Sequence, residues 1–223
     1  MKVIGIISSP HAEGNGATLV REALKGAEAA GASVQEVFLP SLRIEFCRDC
    51  HACMTSGRCA MHDDFPRLRE LLCEADGIIL GSPTYASAPC ARMKNLFDRL
   101  GMYAWMTSMF GGKYVAGMAT ASSFGAAKAA KQVAASLRDS VFRRAYVSGT
   151  LGVSLRGKKV SAMPLVLSKA RTLGCRIASD IRAGRRYPLQ NLLGRLPNAL
   201  FLRPMNGVYE ELVRTGIVVR PAA

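Results

Sequence analysis

What most restricts the fold of this chain is a repeated alternation between short apolar runs and stretches with helical periodicity. Residues 2–8 are nearly all apolar and end in Ser8-Ser9-Pro10, the pattern of a first strand buried on both faces rather than of a signal peptide. Residues 17–30 then place Leu19, Val20, Ala23, Leu24 and Ala27 at helical spacing, and Gly31 ends that helix. A second strand over residues 33–39 is closed by Pro40, which completes a βαβ unit. Helix 65–75 follows, with Leu68, Leu71 and Leu72 on one face and Asp63-Asp64 as its cap. Strand 77–80, helix 90–100, strand 114–119, an Ala-rich helix ending near Leu137, strand 145–153 and a long helix over 163–183 continue the series. Such alternation predicts a doubly wound parallel sheet with helices on both faces. Past Gly184 the pattern weakens, and Pro188, Pro197, Pro204 and Pro221 interrupt it. Residues 1–183 therefore read as the domain, and residues 184–223 as an extension that packs on its own subunit or on a neighbour.

In open α/β sheets ligands bind beyond the carboxyl ends of the strands. Three loops leave strand ends here with small, hydroxyl or amide side chains: residues 8–18, 82–87 and 120–125. The first ends at a helix N-terminus, where free N–H groups and the helix dipole favour a phosphate. Ser9, Asn15 and Thr18 add side-chain donors, and Gly14 and Gly16 let the backbone curl around an anion. It is not a Walker loop, because no Gly-Lys-Ser/Thr follows. Nor does it complete the dinucleotide fingerprint, whose last glycine is replaced by Leu19. His11 is read equally as a phosphate contact and as a solvent-facing loop residue.

Between the second strand and the next helix lies Cys47-Arg-Asp-Cys50-His-Ala-Cys53-Met-Thr-Ser-Gly-Arg-Cys59. The dense C-x2-C-x2-C run is close to the start of the bacterial ferredoxin motif, and Cys59 makes a fourth local thiolate. A 4Fe–4S cluster, a zinc ion using His51 or His62, and no metal all stand as readings of this spacing. Disulfides read poorly, because two intervening residues close only a strained ring and nothing suggests export. With 7 Cys and no run of 18 apolar residues, the cytoplasm is expected and a membrane span is not. Cys73 and Cys175 read as core residues, Cys90 as a neighbour of the second loop, and Met102, Trp105, Met106, Met109 and Phe110 as core or, preferably, a subunit interface. The net charge of +14 raises nucleic acid as a partner, but no zinc-finger, helix-turn-helix or RNA-binding signature accompanies it. That excess reads instead as a solvated or inter-subunit surface, or as attraction for anionic cofactors and acidic electron carriers.

Taken together, several motifs resemble one family: Ser9-Pro10…Gly14-Asn15, the four-cysteine loop, Asp63-Asp64, the string from Ala75 to Tyr85, Lys94 and Asp98-Arg99. They are similar to the iron–sulfur flavoproteins within the NADPH-dependent FMN reductase branch of flavodoxin-like proteins, over about residues 1–183. The resemblance implies a five-stranded sheet of order 2-1-3-4-5. It implies FMN held by Ser9, His11, Gly14, Asn15, Gly16, Ala17 and Thr18, by Pro83, Thr84, Tyr85, Ala86 and Ser87, and by Thr120, Ala121, Ser122, Ser123 and Gly125. It further implies a 4Fe–4S cluster on Cys47, Cys50, Cys53 and Cys59, with ferredoxin or NAD(P)H as donor and a homodimer or homotetramer. One departure stands out: family members commonly follow the loop Asn directly with Thr, whereas Gly16-Ala17-Thr18 stands here. The expected function is electron transfer between a donor and an acceptor through FMN and the cluster. The rivals are an NAD(P)H-dependent FMN or quinone reductase without a cluster, and a metal-stabilised binding module that uses its basic tail. No acid/base triad is found, and the cofactor chemistry needs none.

Overall fold

The computed structural model describes residues 1–106, 109–138, 145–188 and 190. Five long strands, β1 (Lys2–Ile7), β2 (Ser33–Phe38), β3 (Gly77–Tyr85), β5 (Tyr114–Ala121) and β6 (Tyr146–Ser154), form one parallel sheet of order β2-β1-β3-β5-β6. The two-residue strand β4 (Ala88–Pro89) pairs antiparallel with the end of β3. Counting long strands alone, the order is the expected flavodoxin-like 2-1-3-4-5.

Side chains alternate across this sheet. Ile4, Ile6, Ile78 and Leu80 face one core with α3 (Phe65–Glu74), α4 (Ala91–Met106) and α5 (Ala126–Arg138). Val3, Ile7 and Ile79 face the other, under α1 (Asn15–Ala29) and α6 (Pro164–Arg182). Burial on both faces explains why the strands read as unbroken apolar runs.

Helix α1 ends as a Schellman motif: Ala32 N–H donates to Ala27 O, Gly31 N–H donates to Glu28 O, and Gly31 takes φ +86°. Helices α1 and α6 touch backbone to backbone. A Cβ on Gly174 would lie 1.8 Å from Ala23 O, and one on Gly26 would lie 2.0 Å from Arg171 O.

Three local readings change. Strand β3 runs on to Tyr85 because Ser82 and Pro83 pair with Ala119 and Thr120, and β4 takes Thr84 and Tyr85. Cys73 is exposed rather than part of the core, since it lies off the face that carries the buried Leu68 and Leu72. Phe110 is fully buried rather than presented to a partner, while the side chains of residues 102–106 lie outside the described ones. The start of the C-terminal extension folds back on the domain. The Gln190 amide exchanges hydrogen bonds with the N–H and C=O of Val147 (3.0 and 2.9 Å), which blunts the outer edge of β6. Residues 191–223 lie outside the described ones.

Candidate functional site

The register of the sheet brings the carboxyl ends of β1, β3 and β5 level: Ile7 stands beside Gly81, and Pro83 beside Thr120. All three candidate loops therefore open on one edge. They also touch. A Cβ on Gly16 would lie 3.6 Å from Ser9 Cβ and 4.0 Å from Thr120 Oγ1. One on Gly125 (φ +88°) would lie 2.9 Å from Ser87 Oγ.

In the first loop, Gly14 N–H donates to His11 O (3.0 Å), and Ser9 Oγ accepts from His11 N–H (3.3 Å), so the turn is closed from within. Because Gly14 is the N-cap, the N–H groups of Asn15, Gly16 and Ala17 have no intrahelical acceptor. Thr18 Oγ1 donates to Gly14 O (3.1 Å), which engages its only proton within the helix. Asn15 Oδ1 accepts from Val160 N–H (2.8 Å), which leaves only Nδ2 to donate to an anion. His11 is exposed at the rim.

The second loop is a two-residue turn in which neither glycine nor asparagine occupies the left-handed positions: Ala86 has φ 48° and Ser87 φ 60°. Thr84 Oγ1 is buried with no hydrogen-bond partner among the described residues. Tyr85 is 57% exposed, and Phe124 on the third loop is 79% exposed, so two aromatic rings stand open beside the crevice. In the third loop Thr120 and Ala121 are buried at the end of β5, whereas Ser122 and Ser123 are exposed. The carbonyls of Ala121 and Ser122 accept from Leu155 and Arg156 N–H, both at 2.8 Å, which ties the third loop to the chain leaving β6.

Beneath the loops lies a polar clamp that periodicity alone does not signal. Ser8 Oγ donates to Gly81 O (3.0 Å) and lies 3.2 Å from Cys90 Sγ, while Cys90 N–H donates to Ser82 Oγ (3.0 Å). Cys90 is thus buried under the second loop.

The cysteine segment packs against the α3 and α4 side of the sheet, around a short helix α2 (Ala52–Ser56). Asp49 and His51 take positive φ (51° and 56°), and these curls keep the chain compact enough for Cys47, Cys50, Cys53 and Cys59 to border one cavity of about 30 Å³. Cys47 and Cys50 are exposed, and Cys53 and Cys59 half-buried. Burial pushes the Cys53 thiol up, and the nearby Cys59, Cys47 and Cys50 add to the shift. Among the described residues, no three His, Cys, Asp or Glu side chains stand at the spacing that a single ion requires. His51 is exposed 3.7 Å from Asp49, and His62 is exposed as well.

What holds this loop in place is a set of side chains read at the sequence level as a helix cap or given no role. Asp64 Oδ2 accepts from Arg43 N–H (2.7 Å), and Asp63 Oδ2 accepts from Glu45 N–H (2.9 Å), so the two aspartates tie the loop back on itself. At the start of α3, Asp64 is the N-cap and its carbonyl accepts from Leu68 N–H (3.1 Å), while Asp63 Oδ1 accepts from Phe65 N–H (3.1 Å). Asn95 Nδ2 donates to Ile44 O (2.9 Å). Arg99 Nη1 donates to Asp63 Oδ2 (2.5 Å) and to Glu45 O (2.8 Å), while its Nη2 donates to Asp63 Oδ1 (3.0 Å) and Cys59 Sγ (3.3 Å). Burial alone would raise the Asp63 carboxyl, but the Arg99 hydrogen bond and the Glu45 and Phe65 N–H groups outweigh it and hold the group below the usual range. Asp98-Arg99 stood in the recognisable string, but nothing in a sequence shows where an arginine's fork will point.

A parallel sheet of this order, with its loops converging at the carboxyl edge, defines a flavodoxin-like fold. Solved structures agree on the fold: a flavone reductase (TM-score 0.66, 20% identity, 82% of this chain and 63% of that one) and an archaeal flavodoxin (TM-score 0.56, 17% identity, 82% and 99%). The chain belongs to the NADPH-dependent FMN reductase family, whose model matches residues 1–155. An iron-sulfur flavoprotein of Archaeoglobus fulgidus is 36% identical over 111 residues, 50% of each chain. Another, from Methanocaldococcus jannaschii, is 42% identical over 99 residues, 44% of this chain and 51% of that one. The match thus spans about half the length of these curated relatives. Among the described residues, no helix is long and apolar enough to cross a membrane.

Proposed function

We propose that this chain is an FMN-dependent redox protein whose cysteine loop holds a 4Fe–4S cluster. The observation that carries the reading is that all four loop cysteines border a single cavity on a domain of the FMN reductase family. The relatives named iron-sulfur flavoprotein support it.

The crevice suits FMN. The N–H groups of Asn15, Gly16 and Ala17, at the positive end of α1, would hold the phosphate. Thr84 Oγ1, buried without a partner among the described residues, would be free to hydrogen-bond the ring system, and Tyr85 would supply a wall. Cys47, Cys50, Cys53 and Cys59 would hold the cluster as thiolates. When bound, FMN supplies two-electron chemistry divisible into single steps, and the cluster supplies a one-electron carrier. The chain's own residues fix both positions: α4 begins just after β4 and carries Arg99 to the cysteine loop. The donor in this reading is ferredoxin or NAD(P)H, the setting is cytoplasmic, and the working form is a homodimer or homotetramer.

The test is chemical analysis of protein purified without oxygen. About four iron and four sulfide per chain are expected together with FMN. Cys53→Ser should lose the iron and keep the flavin. Flavin without iron in the natural protein would sink the cluster and leave a plain reductase, and protein that takes up no FMN would leave the binding module.

A further inference from the structure

We infer that Arg99 is a positioning residue for the cluster: it aims Cys59 at the iron and, by donating an N–H to that sulfur, favours the cluster's reduced state. The inference rests on the cluster reading above and goes beyond it by assigning control of potential to a residue outside the ligand set.

The side chains of Arg99 and Asp63 are 1% and 0% exposed. A buried ion pair of this kind seldom adds stability over an apolar pair of similar volume, because desolvating both charges costs as much as their attraction returns. Its bonds to Glu45 anchor the loop, and they leave one contact of the guanidinium unexplained. Asp63 uses both oxygens on Arg99, and each oxygen also takes one backbone N–H, from Glu45 or Phe65. The carboxylate is therefore fully satisfied and rigid. The guanidinium is not. It lies over the Phe65 ring (4.4 Å to the centroid), its Nε is buried with no partner among the described residues, and one Nη2 proton reaches past Asp63 to Cys59 Sγ at 3.3 Å. Asp63 and Glu45 O thus set the fork's orientation, and one Nη2 proton points at a proposed ligand sulfur.

Hydrogen bonds to ligand sulfurs are one of the levers that set an iron–sulfur potential. Added negative charge on reduction spreads onto the thiolates, so an N–H aimed at one of them stabilises the reduced form more than the oxidised form. A planar fork can serve Asp63 and Cys59 together, whereas an ammonium on the same helix would settle on the carboxylate.

The experiment is an anaerobic redox titration of reconstituted protein, which reads cluster and FMN midpoints in the same sample. The variants are Arg99→Lys, which keeps the charge pair, and Arg99→Met with Asp63→Asn, which removes both charges and leaves none unpaired. For both, the cluster's reduction equilibrium should fall about tenfold, a shift of about 59 mV for one electron. The FMN midpoint should stay in place. Iron lost to a chelator should leave faster from the variants than from the natural protein. A double variant that binds FMN but retains no iron, beside an Arg99→Lys protein that does, also supports the positioning role. An unchanged cluster midpoint in both variants overturns the inference, as does an equal shift of the FMN midpoint. A natural protein that never takes up iron overturns the cluster reading itself, and the inference with it, before any variant is compared.

Discussion

The strand-end crevice and the cysteine loop sit on the same domain, yet they are held by different kinds of bond. At the crevice, sheet register sets the position: Ile7, Gly81 and Met118 stand level, and the loops leave from there. Much of its hydrogen bonding involves backbone atoms, such as Gly14 to His11 and Arg156 to Ser122. The cysteine loop has no register to follow. It hangs on side chains from other segments, with Asp63 and Asp64 reaching back to residues 43–45 and Asn95 and Arg99 reaching across from α4. Helix α4 joins the two regions, since the eight steps from Ala91 to Arg99 rise about 12 Å at 1.5 Å per residue. A site built from backbone tolerates many single substitutions. A site built from a few buried side chains should fail at one.

The harshest trial of that contrast is Asp63→Ala. It leaves the Arg99 guanidinium buried without its carboxylate, a change that costs about 3–5 kcal/mol. Denaturant unfolding should show the loss, and iron loading should fall sharply. FMN affinity, measured in conditions where the fold persists, should stay near that of the natural protein. If flavin affinity falls in step with iron, α4 couples the regions and the contrast fails.

How far each region was legible in the sequence follows from the same physics. Strands buried on both faces leave runs such as Val3-Ile-Gly-Ile-Ile7, and helices leave spaced apolar residues, so the sheet and its three open loops could be read off directly. The cysteine spacing was equally plain. Side-chain partners were not. Asp63 and Asp64 do stand at the start of α3, with Asp64 as its N-cap, yet their side chains also bond the chain some twenty residues earlier, at Arg43 and Glu45, and Arg99 beyond it. Thr18 looks like a phosphate donor, yet its hydroxyl bonds to the carbonyl four residues back, as threonine in a helix often does. Contacts between elements distant in sequence leave no local period, so Arg99 appeared only as part of a recognisable string.

A milder probe comes from behind the crevice. Gly174→Ala puts a methyl 1.8 Å from Ala23 O, so α1 and α6 must part, at about 1–3 kcal/mol. Because α1 carries the Asn15–Ala17 N–H groups, its shift should weaken FMN binding several-fold while iron content holds. The effect should be the reverse of that in Asp63→Ala. Loss of iron instead would show that the sheet supports both sites equally.

The smallest expected effect is electrostatic and lies in the same helix contact. Glu22 on α1 accepts from Lys25 and from Arg171 of α6, each at 2.7 Å. The Lys25 hydrogen bond, with help from Arg171 and against the opposing pull of burial, holds the Glu22 carboxyl below the usual glutamate range. A depressed folded-state pKa means that stability is present above the unfolded value, near 4.3, and is lost as pH falls through the folded one. Both cations are largely exposed, so water screens the pair and Glu22→Gln should cost only about 0.5–1 kcal/mol at pH 7. Measured by thermal unfolding, the gap between the two proteins should stay open from pH 7 to pH 5 and close below about pH 4. A gap that persists undiminished at pH 3 would trace the loss to packing between α1 and α6 rather than to charge. The helix contact behind the crevice would then rest on shape alone.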